Sequence, residues 1–384
     1  MPKIINRYIF KEVAIPFAMI LFVLTFILLM GKLLQIMDLL VNKGISMLAI
    51  IKIIVLLMPS FMMFTIPIAL LIAILVGMGR LSADNEITAL KASGISLQQI
   101  FHPLAVAALI TFILTIIISN FLVPKSNMAT KQLLFSIAQQ NASAGIKEKV
   151  FNADFNGILL YAEKIPVDGN HMESVIVSDS RIAGEQSTIV AQKAYLIANQ
   201  ESLKIVLRLE NGATHIVSDD LKSYRKIDFK TYDINLDLAA AMSDAGKEET
   251  KSSTEMTLNE LLAKMKKPGL EDAAVRELAI EAHKKFSIPL SCIFFGILAF
   301  PLGIRSHRAV KSRGFAVGLI VVSVYYLLRI GGEALVETGR LSPVVGAWTP
   351  NLLFALLGIY LFIMANREKS LWLSLKIFLR RRFK

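Results

Sequence analysis

The sequence predicts a membrane α-helical fold, with six transmembrane helices and an inserted all-β, jelly-roll-like domain. Of its 384 residues, 54% are hydrophobic and only 19% are charged, and the mean hydropathy of +0.57 is one that soluble proteins rarely reach. Six apolar segments approach the roughly 20 residues that a helix needs to cross a bilayer. A long polar stretch separates the third from the fourth. A disulfide framework is excluded because Cys292 is the only cysteine.

The six apolar segments differ in length and in proline content. They run near 13–31, 53–78, 101–123, 286–304, 314–335 and 344–365. The first is too long for a cleavable signal peptide, and no small-residue cleavage site follows it, so it is predicted to stay as a span. The second is longer than a bilayer requires and contains Pro59 and Pro67, which predicts a tilt, a kink or an extension beyond the membrane.

The placement of basic residues predicts the orientation. The net charge of +12 belongs to the apolar segments and their flanks, since the polar stretch from Pro124 to Lys285 is slightly acidic. Basic residues cluster before span one, between spans two and three, between spans four and five, and after span six. The positive-inside rule places all four flanks, and hence both termini, in the cytoplasm. The polar domain then lies outside, and a nucleic-acid partner is not expected.

Parts of the polar stretch show the alternation of apolar and polar residues that is typical of β-strands. Residues 202–210 have a strict period of two, and Asn211-Gly212 after them predicts a hairpin turn. A second strand covers 232–238, and the out-of-phase alternation of 227–229 before it predicts a bulge or break near Lys230. Further predicted elements, in chain order, are strands near 158–161, 174–177 and 187–191, a link at 239–253, and helices at 257–266 and 270–285.

Motifs for enzymatic chemistry are absent from the sequence. It contains no G-x-x-x-x-G-K-[ST] phosphate loop, no H-E-x-x-H, no paired C-x-x-C and no G-x-S-x-G, and its five histidines are scattered. A Ser/His/Asp triad assembled by folding stays open. These observations favour a protein that is not an enzyme, that holds no metal and that binds no cofactor directly.

The segment 79–96, on the predicted cytoplasmic side, is the most informative. Ser82 precedes a first turn with Asp84 and Glu86, which suits a helix N-terminus, and Gly94 supplies a stop. A helix of two to three turns is expected, with Glu86 available to an arginine of a partner. Two interpretations follow. The segment is either a loop helix with a solvated Glu86, or a docking helix that transmits motion from a soluble motor protein.

Four basic residues are candidates for contact with an anionic lipid head group. Lys32 ends span one, Lys43 lies in the outer loop and Lys52 begins span two, so each could instead snorkel at the interface. Arg329 lies inside an apolar segment, where a charge is costly. Glu333 follows one turn later, and an Arg329–Glu333 pair would satisfy the arginine without any ligand.

The residues resemble a known family. The segment Arg80-Leu-Ser-Ala-Asp-Asn-Glu-Ile-Thr-Ala-Leu-Lys-Ala-Ser-Gly94 is similar to the coupling helix of the LptF/LptG permeases of the lipopolysaccharide export transporter. The likeness covers essentially the whole chain. It includes the run 285–290, Lys-Phe-Ser-Ile-Pro-Leu, and the Phe-Pro-Leu-Gly motif at 300–303. Of the two subunit types, the N-terminal third favours LptF.

The resemblance implies an ABC exporter of the bacterial inner membrane. The expected partners are a homologous permease in an LptF/LptG heterodimer, an LptB ATPase dimer that uses ATP and Mg, LptC, the periplasmic bridge protein LptA, and lipopolysaccharide. Glu86 corresponds to the acidic residue that meets an ATPase arginine, and Lys32 to a lipid-phosphate-binding position on the first helix. The coupling residues implied are Asp84, Glu86, Leu90, Ala92 and Gly94.

The predicted domain boundaries follow from the same patterns. They are transmembrane helices 1–3 with a coupling helix at about 82–96 in 1–123, a periplasmic β domain in 124–256, a periplasmic helical connector in 257–285, transmembrane helices 4–6 in 286–366, and a basic cytoplasmic tail in 367–384.

Two other functions compete with lipid export. An ion-coupled carrier should show several midplane charges and internal repeats, and a membrane-anchored periplasmic scaffold that binds by strand addition leaves the loop 80–96 unexplained.

Overall fold

The computed structural model describes residues 3–42, 47–145, 148–155, 157–166, 171–181, 185–199, 204–218, 224–236, 251–304 and 313–367. Its helices are α1 Lys3–Asn42, α2 Met47–Ala83, α3 Glu86–Ala92, α4 Leu97–Ile117, α5 Val123–Gly145, α6 Leu258–Met265, α7 Asp272–Ile304, α8 Arg313–Glu337 and α9 Pro343–Asn366. A π-helical turn, Ile118–Leu122, joins α4 to α5. The chain divides into two compact units, Met1–Met37 with Ile51–Met128 and Ser253–Lys384, and Asp38–Ile50 with Ala129–Ser252.

Six of the described helices are long and apolar enough to cross a membrane, which confirms the six predicted spans. They are Lys3–Leu34, Met47–Ala83, Leu97–Leu134, Asp272–Ile304, Gly314–Glu337 and Pro343–Asn366. The second is the central one, because 72% of its most apolar stretch is buried, against 17% for the first and the fifth. Apolar side chains on the exposed faces of α1 and α8 suit contact with lipid or with another membrane helix.

Aromatic rings hold α7 against its neighbours in the helical unit. Phe295 on α7 packs edge-on against Tyr325 of α8, with ring centroids 4.8 Å apart, and both rings contact Phe354 of α9. Phe300 forms a second group with Phe101 of α4 at 5.2 Å. Such pairs add stability beyond the area they bury, so α7 is the helix around which the second half of the unit is built.

Helices α8 and α9 approach each other at a pair of glycines. A Cβ placed on Gly332 would lie 2.6 Å from the carbonyl oxygen of Gly346, whereas a Cβ on the adjacent Gly331 would meet no atom within 4 Å. Small residues allow two membrane helices to bring their backbones together. Gly332 is therefore required by the α8–α9 contact, and Gly331 is not.

The helix that enters span four begins well before it. Thr257 caps α6 through a capping box with Glu260, and Pro268-Gly269 separates α6 from α7. Helix α7 then continues from Asp272 to Ile304 without interruption. The two helices predicted at 257–266 and 270–285 are both present, and the second leads directly into the span.

The second unit contains an antiparallel sheet. Its strands are β1 Phe151–Phe155, β2 Ile158–Lys164, β3 Met172–Asp179, β4 Glu185–Asn199, β5 Lys204–Ser218 and β6 Tyr224–Leu236. The described strands pair in chain order, β1-β2-β3-β4-β5-β6. Buried residues such as Leu160, Val175 and Leu207 form its core. The inserted β domain is thus confirmed, with β1 as a strand that the sequence patterns did not reveal.

The predicted hairpin at Asn211-Gly212 is wrong. Both residues lie inside β5, which pairs with β4 and with β6 on either side of them without a change of register. Asn211 has a left-handed φ of 52°, and buried positions change phase there, from Leu207 and Leu209 to Thr214. The Asn-Gly pair reverses the phase of a long strand and does not end it. Strand β6 likewise continues through Lys230, where a bulge or break was predicted, and its pairing with β5 keeps one register there. The predicted link at 239–253 lies largely outside the described residues.

Candidate coupling corner and charged helix cluster

The helix α3 lies at the turn between α2 and α4, and it begins later than predicted. Helix α2 runs on to Ala83, so Ser82 does not cap α3 as expected. Instead Asn85, with a left-handed φ of 59°, ends the turn, and α3 begins at Glu86. Gly94 has a φ of 81°, which glycine adopts without strain. It terminates α3 as predicted, after Ala92.

An apolar face fixes α3 to the helical unit. Ile87 is only 3% exposed and belongs to the main core, and Leu90 packs against that core. Thr88, Ala89 and Ala92 are exposed on the other side of the helix. A short helix anchored on one face and open on the other can receive a partner and transmit its movement to α2 and α4.

Side chains of α1 and α2 hold the two acidic residues of this corner. The hydroxyl of Tyr8 donates a hydrogen bond to Glu86 Oε1 at 3.0 Å. Arg80 Nη1 lies 3.1 Å from Glu12 Oε2, and its Nε lies 3.8 Å from Asp84 Oδ2. Tyr8 and Glu12 were not predicted from the sequence, because they are distant in the chain from the acidic residues that they contact. Their position before the first span was the available signal, because it places them on the same membrane side as the segment 79–96.

Two of the three lysines proposed for lipid contact lie within the described residues. Lys32 is exposed on α1, and Lys52 is exposed near the start of α2. Lys43 lies outside the described residues. The role of the three lysines therefore remains a prediction from the sequence.

Arg329 is buried on α8 and paired within its own helix. It is 9% exposed, and its Nη2 lies 3.2 Å from Glu333 Oε1, as the sequence suggested. The guanidinium also lies over the rings of Phe64, at 5.1 Å, and Tyr326, at 5.3 Å. Its Nε and Nη1 have no hydrogen-bond partner among the described residues. Two donors of a buried cation are thus left for a further acceptor.

A second ion pair extends this group to α7. Lys284 Nζ lies 2.7 Å from Glu281 and 3.7 Å from Glu333. The four side chains of Glu281, Lys284, Arg329 and Glu333 form what we call the charged cluster, with two positive and two negative charges. Lys284 was not singled out in the sequence, because it lies among the other charged residues of the connector.

Comparison with known proteins settles the family. Over residues 7–364, the sequence matches the family described as lipopolysaccharide export system permease LptF/LptG. The chain belongs to this family. The match includes both groups of membrane helices, the inserted sheet and α3. An LptF/LptG permease is a multi-pass protein of the inner membrane, and its role is that of a transport subunit in lipopolysaccharide export.

Curated relatives match nearly the full length. An uncharacterized protein of Rickettsia prowazekii is 24% identical over 361 residues, covering 93% of this chain and 98% of that protein. Lipopolysaccharide export system permease protein LptF of Escherichia coli K12 is 21% identical over 361 residues, covering 93% and 94%. LptF of Shigella flexneri matches with the same values. The similarity therefore extends over whole chains and not over one shared module.

Proposed function

We propose that this chain is the LptF-type subunit of an ATP-driven exporter that takes lipopolysaccharide from the outer leaflet of the inner membrane. A homologous permease completes the membrane dimer, and an LptB dimer binds ATP and Mg and hydrolyses the nucleotide. LptC and LptA receive the lipid in the periplasm. Both termini are cytoplasmic and the β unit is periplasmic. The observation that carries this proposal is the family match over 7–364, which includes the coupling segment.

Helix α3 is the proposed contact with the ATPase. Glu86 begins this helix, and a carboxylate there can form a charge-assisted hydrogen bond with an arginine of the partner. Asp84, Leu90, Ala92 and Gly94 complete the docking element. Because Ile87 anchors α3 in the core, a displacement of α3 would be passed to the transmembrane helices.

Basic side chains are the proposed contacts with the lipid. Lys32, Lys43 and Lys52 would attract the phosphates of the head group. Arg329 has two buried nitrogens, Nε and Nη1, without hydrogen-bond partners among the described residues, and their N–H groups suit a phosphate or carboxylate oxygen. Its pairing with Glu333 reduces the net charge, so Arg329 would contribute directed hydrogen bonds more than long-range attraction.

Replacement of Glu86 tests the coupling. In the complex reconstituted with LptB and the second permease, Glu86→Ala and Glu86→Arg should leave ATP hydrolysis running while lipopolysaccharide transport per ATP falls. A charge swap at the partner arginine should partly restore transport in Glu86→Arg. Glu271→Ala, which removes an exposed glutamate immediately before α7, is the matched control and should keep the ratio. Unchanged export by Glu86→Arg would reject the coupling role, and export driven by an ion gradient without ATP would favour a carrier.

A further inference from the structure

The two acidic residues of the coupling corner are held in different ways. Asp84 lies near the guanidinium of Arg80, which also contacts Glu12. Glu86 instead accepts a hydrogen bond from the neutral hydroxyl of Tyr8. A phenol brings no positive charge, so this contact orients one oxygen of Glu86 without pairing the carboxylate with a cation.

The bond uses only one oxygen of Glu86. Tyr8 binds Oε1 at 3.0 Å, and the described residues give Oε2 no hydrogen bond. Glu86 is partly exposed at the first position of α3. An arginine that approached the exposed face of α3 could therefore bind Oε2 without displacing Tyr8.

Tyr8 can hold this position because α1 is well packed at its level. Ile9 is fully buried and Val13 is 2% exposed, and both belong to the main core. Many of the described side chains of α1 beyond Val13, such as Phe22 and Ile27, are apolar and exposed. The Tyr8–Glu86 bond is thus a direct link between the anchored end of the first transmembrane helix and the coupling helix.

We propose that Tyr8 is a positioning residue, which orients Glu86 toward the arginine of the partner ATPase and links movement of α3 to α1. This inference rests on the proposed function, in which Glu86 meets that arginine. It assigns to the first transmembrane helix a share in coupling that does not pass through α2 or α4.

The test is Tyr8→Phe in the full reconstituted complex, since this change removes only the hydroxyl. We measure kcat and KM for ATP, the amount of assembled complex, and lipopolysaccharide transported per ATP hydrolysed. Transport per ATP should fall by about two- to tenfold, the range expected for one lost hydrogen bond. KM for ATP and assembly should not change. Tyr360→Phe, at an exposed tyrosine on α9, makes the same chemical change and should have no effect.

The outcomes separate this inference from the proposed function. A merely structural role of Tyr8 would lower assembly, and hence both rates, but would keep transport per ATP; that result overturns the inference. A normal ratio in Tyr8→Phe together with a low ratio in Glu86→Ala also overturns it, while the proposed function stands. A normal ratio in both variants would reject the coupling role of Glu86, and this inference with it. Absence of lipopolysaccharide transport by the unchanged complex would reject the proposed function itself.

Discussion

The hydroxyl of Ser82 donates a hydrogen bond of 2.6 Å to the carbonyl oxygen of Ile304. Ser82 lies in the last turn of α2, and Ile304 is the last residue of α7. The final carbonyls of a helix have no partner within it, so this bond satisfies one of them. It also joins the helix that leads to α3 with the helix that organises the second half of the unit.

Loss of this bond should destabilise the helical unit. We expect Ser82→Ala to lower the free energy of unfolding by about 0.5–1.5 kcal/mol, because the carbonyl of Ile304 loses a donor in a partly buried place. Thermal unfolding in detergent measures the change. Ser93→Ala is the control, because Ser93 Oγ donates to the carbonyl of Ala89, one turn earlier in the adjacent α3, and not to another helix among the described residues. Equal shifts in the two variants would contradict the role of the Ser82–Ile304 bond.

The adjacent glycines of α8 should respond in opposite ways to alanine. Gly332→Ala would force the new Cβ against the backbone of Gly346, so we expect a destabilisation of about 1–3 kcal/mol. Gly331→Ala meets open space and should be neutral or stabilising by up to about 1 kcal/mol, because alanine favours the helix. Unfolding of both variants in the same detergent compares them. A similar loss in both would show that helix flexibility, and not the α8–α9 contact, requires glycine.

The spans and most strands could be predicted from the sequence because their signals are local. A length of apolar residues determines whether a helix can cross the membrane, and a period of two marks a half-buried strand. The end of α3 at Gly94 could be predicted for the same reason, because its φ of 81° is a conformation that glycine itself adopts readily. The helices 257–266 and 270–285 were marked by local patterns in the same way.

The failures concern features that depend on neighbouring elements. Asn211-Gly212 has the residues of a tight turn, yet β4 and β6 pair along both sides of it and keep the strand extended. Ser82 suits a helix cap, but α2 continues past it and its hydroxyl reaches Ile304 instead. The Tyr8–Glu86 bond joins residues far apart in the chain, and no local pattern reports such a contact.

The charged cluster should be sensitive to removal of a single charge. Arg329→Leu leaves the half-buried carboxylate of Glu333 with Lys284, at 3.7 Å, as its remaining cation among the described residues. We expect a loss of up to about 3 kcal/mol, the lower end for a broken buried pair. The double variant Arg329→Leu with Glu333→Leu should recover part of this loss, because no unpaired charge remains. Arg208→Leu, which breaks the exposed Arg208–Asp233 pair, should change stability little. Additive losses in the double variant would contradict the pairing.

The end of the β2–β3 hairpin should lose stability in acid. A hydrogen bond from Arg181 holds the pKa of Asp179 below its ordinary value of 3.8. Because the folded pKa is lower than the unfolded one, this contribution is present above pH 3.8 and is lost as the pH falls through the folded value. Protection of β2 and β3 amides against hydrogen exchange should therefore fall in that range, and less so in Asp179→Asn. Peptides from α9 are the internal reference. The same fall in Asp179→Asn would assign it to another group.

Charge reversal at Lys32 tests its proposed contact with the lipid head group. Lys32 is exposed on α1, and the resemblance to the family implies a lipid-phosphate contact at this position. A carboxylate there would repel the phosphates of the head group. We expect Lys32→Glu to weaken crosslinking to lipopolysaccharide more than Lys43→Glu or Lys52→Glu does. Crosslinking yield per assembled complex is the measurement, so that poor assembly is not counted as weak binding. If the three variants lose the same amount, the lysines act together as interfacial anchors and Lys32 has no separate role in recognising the lipid.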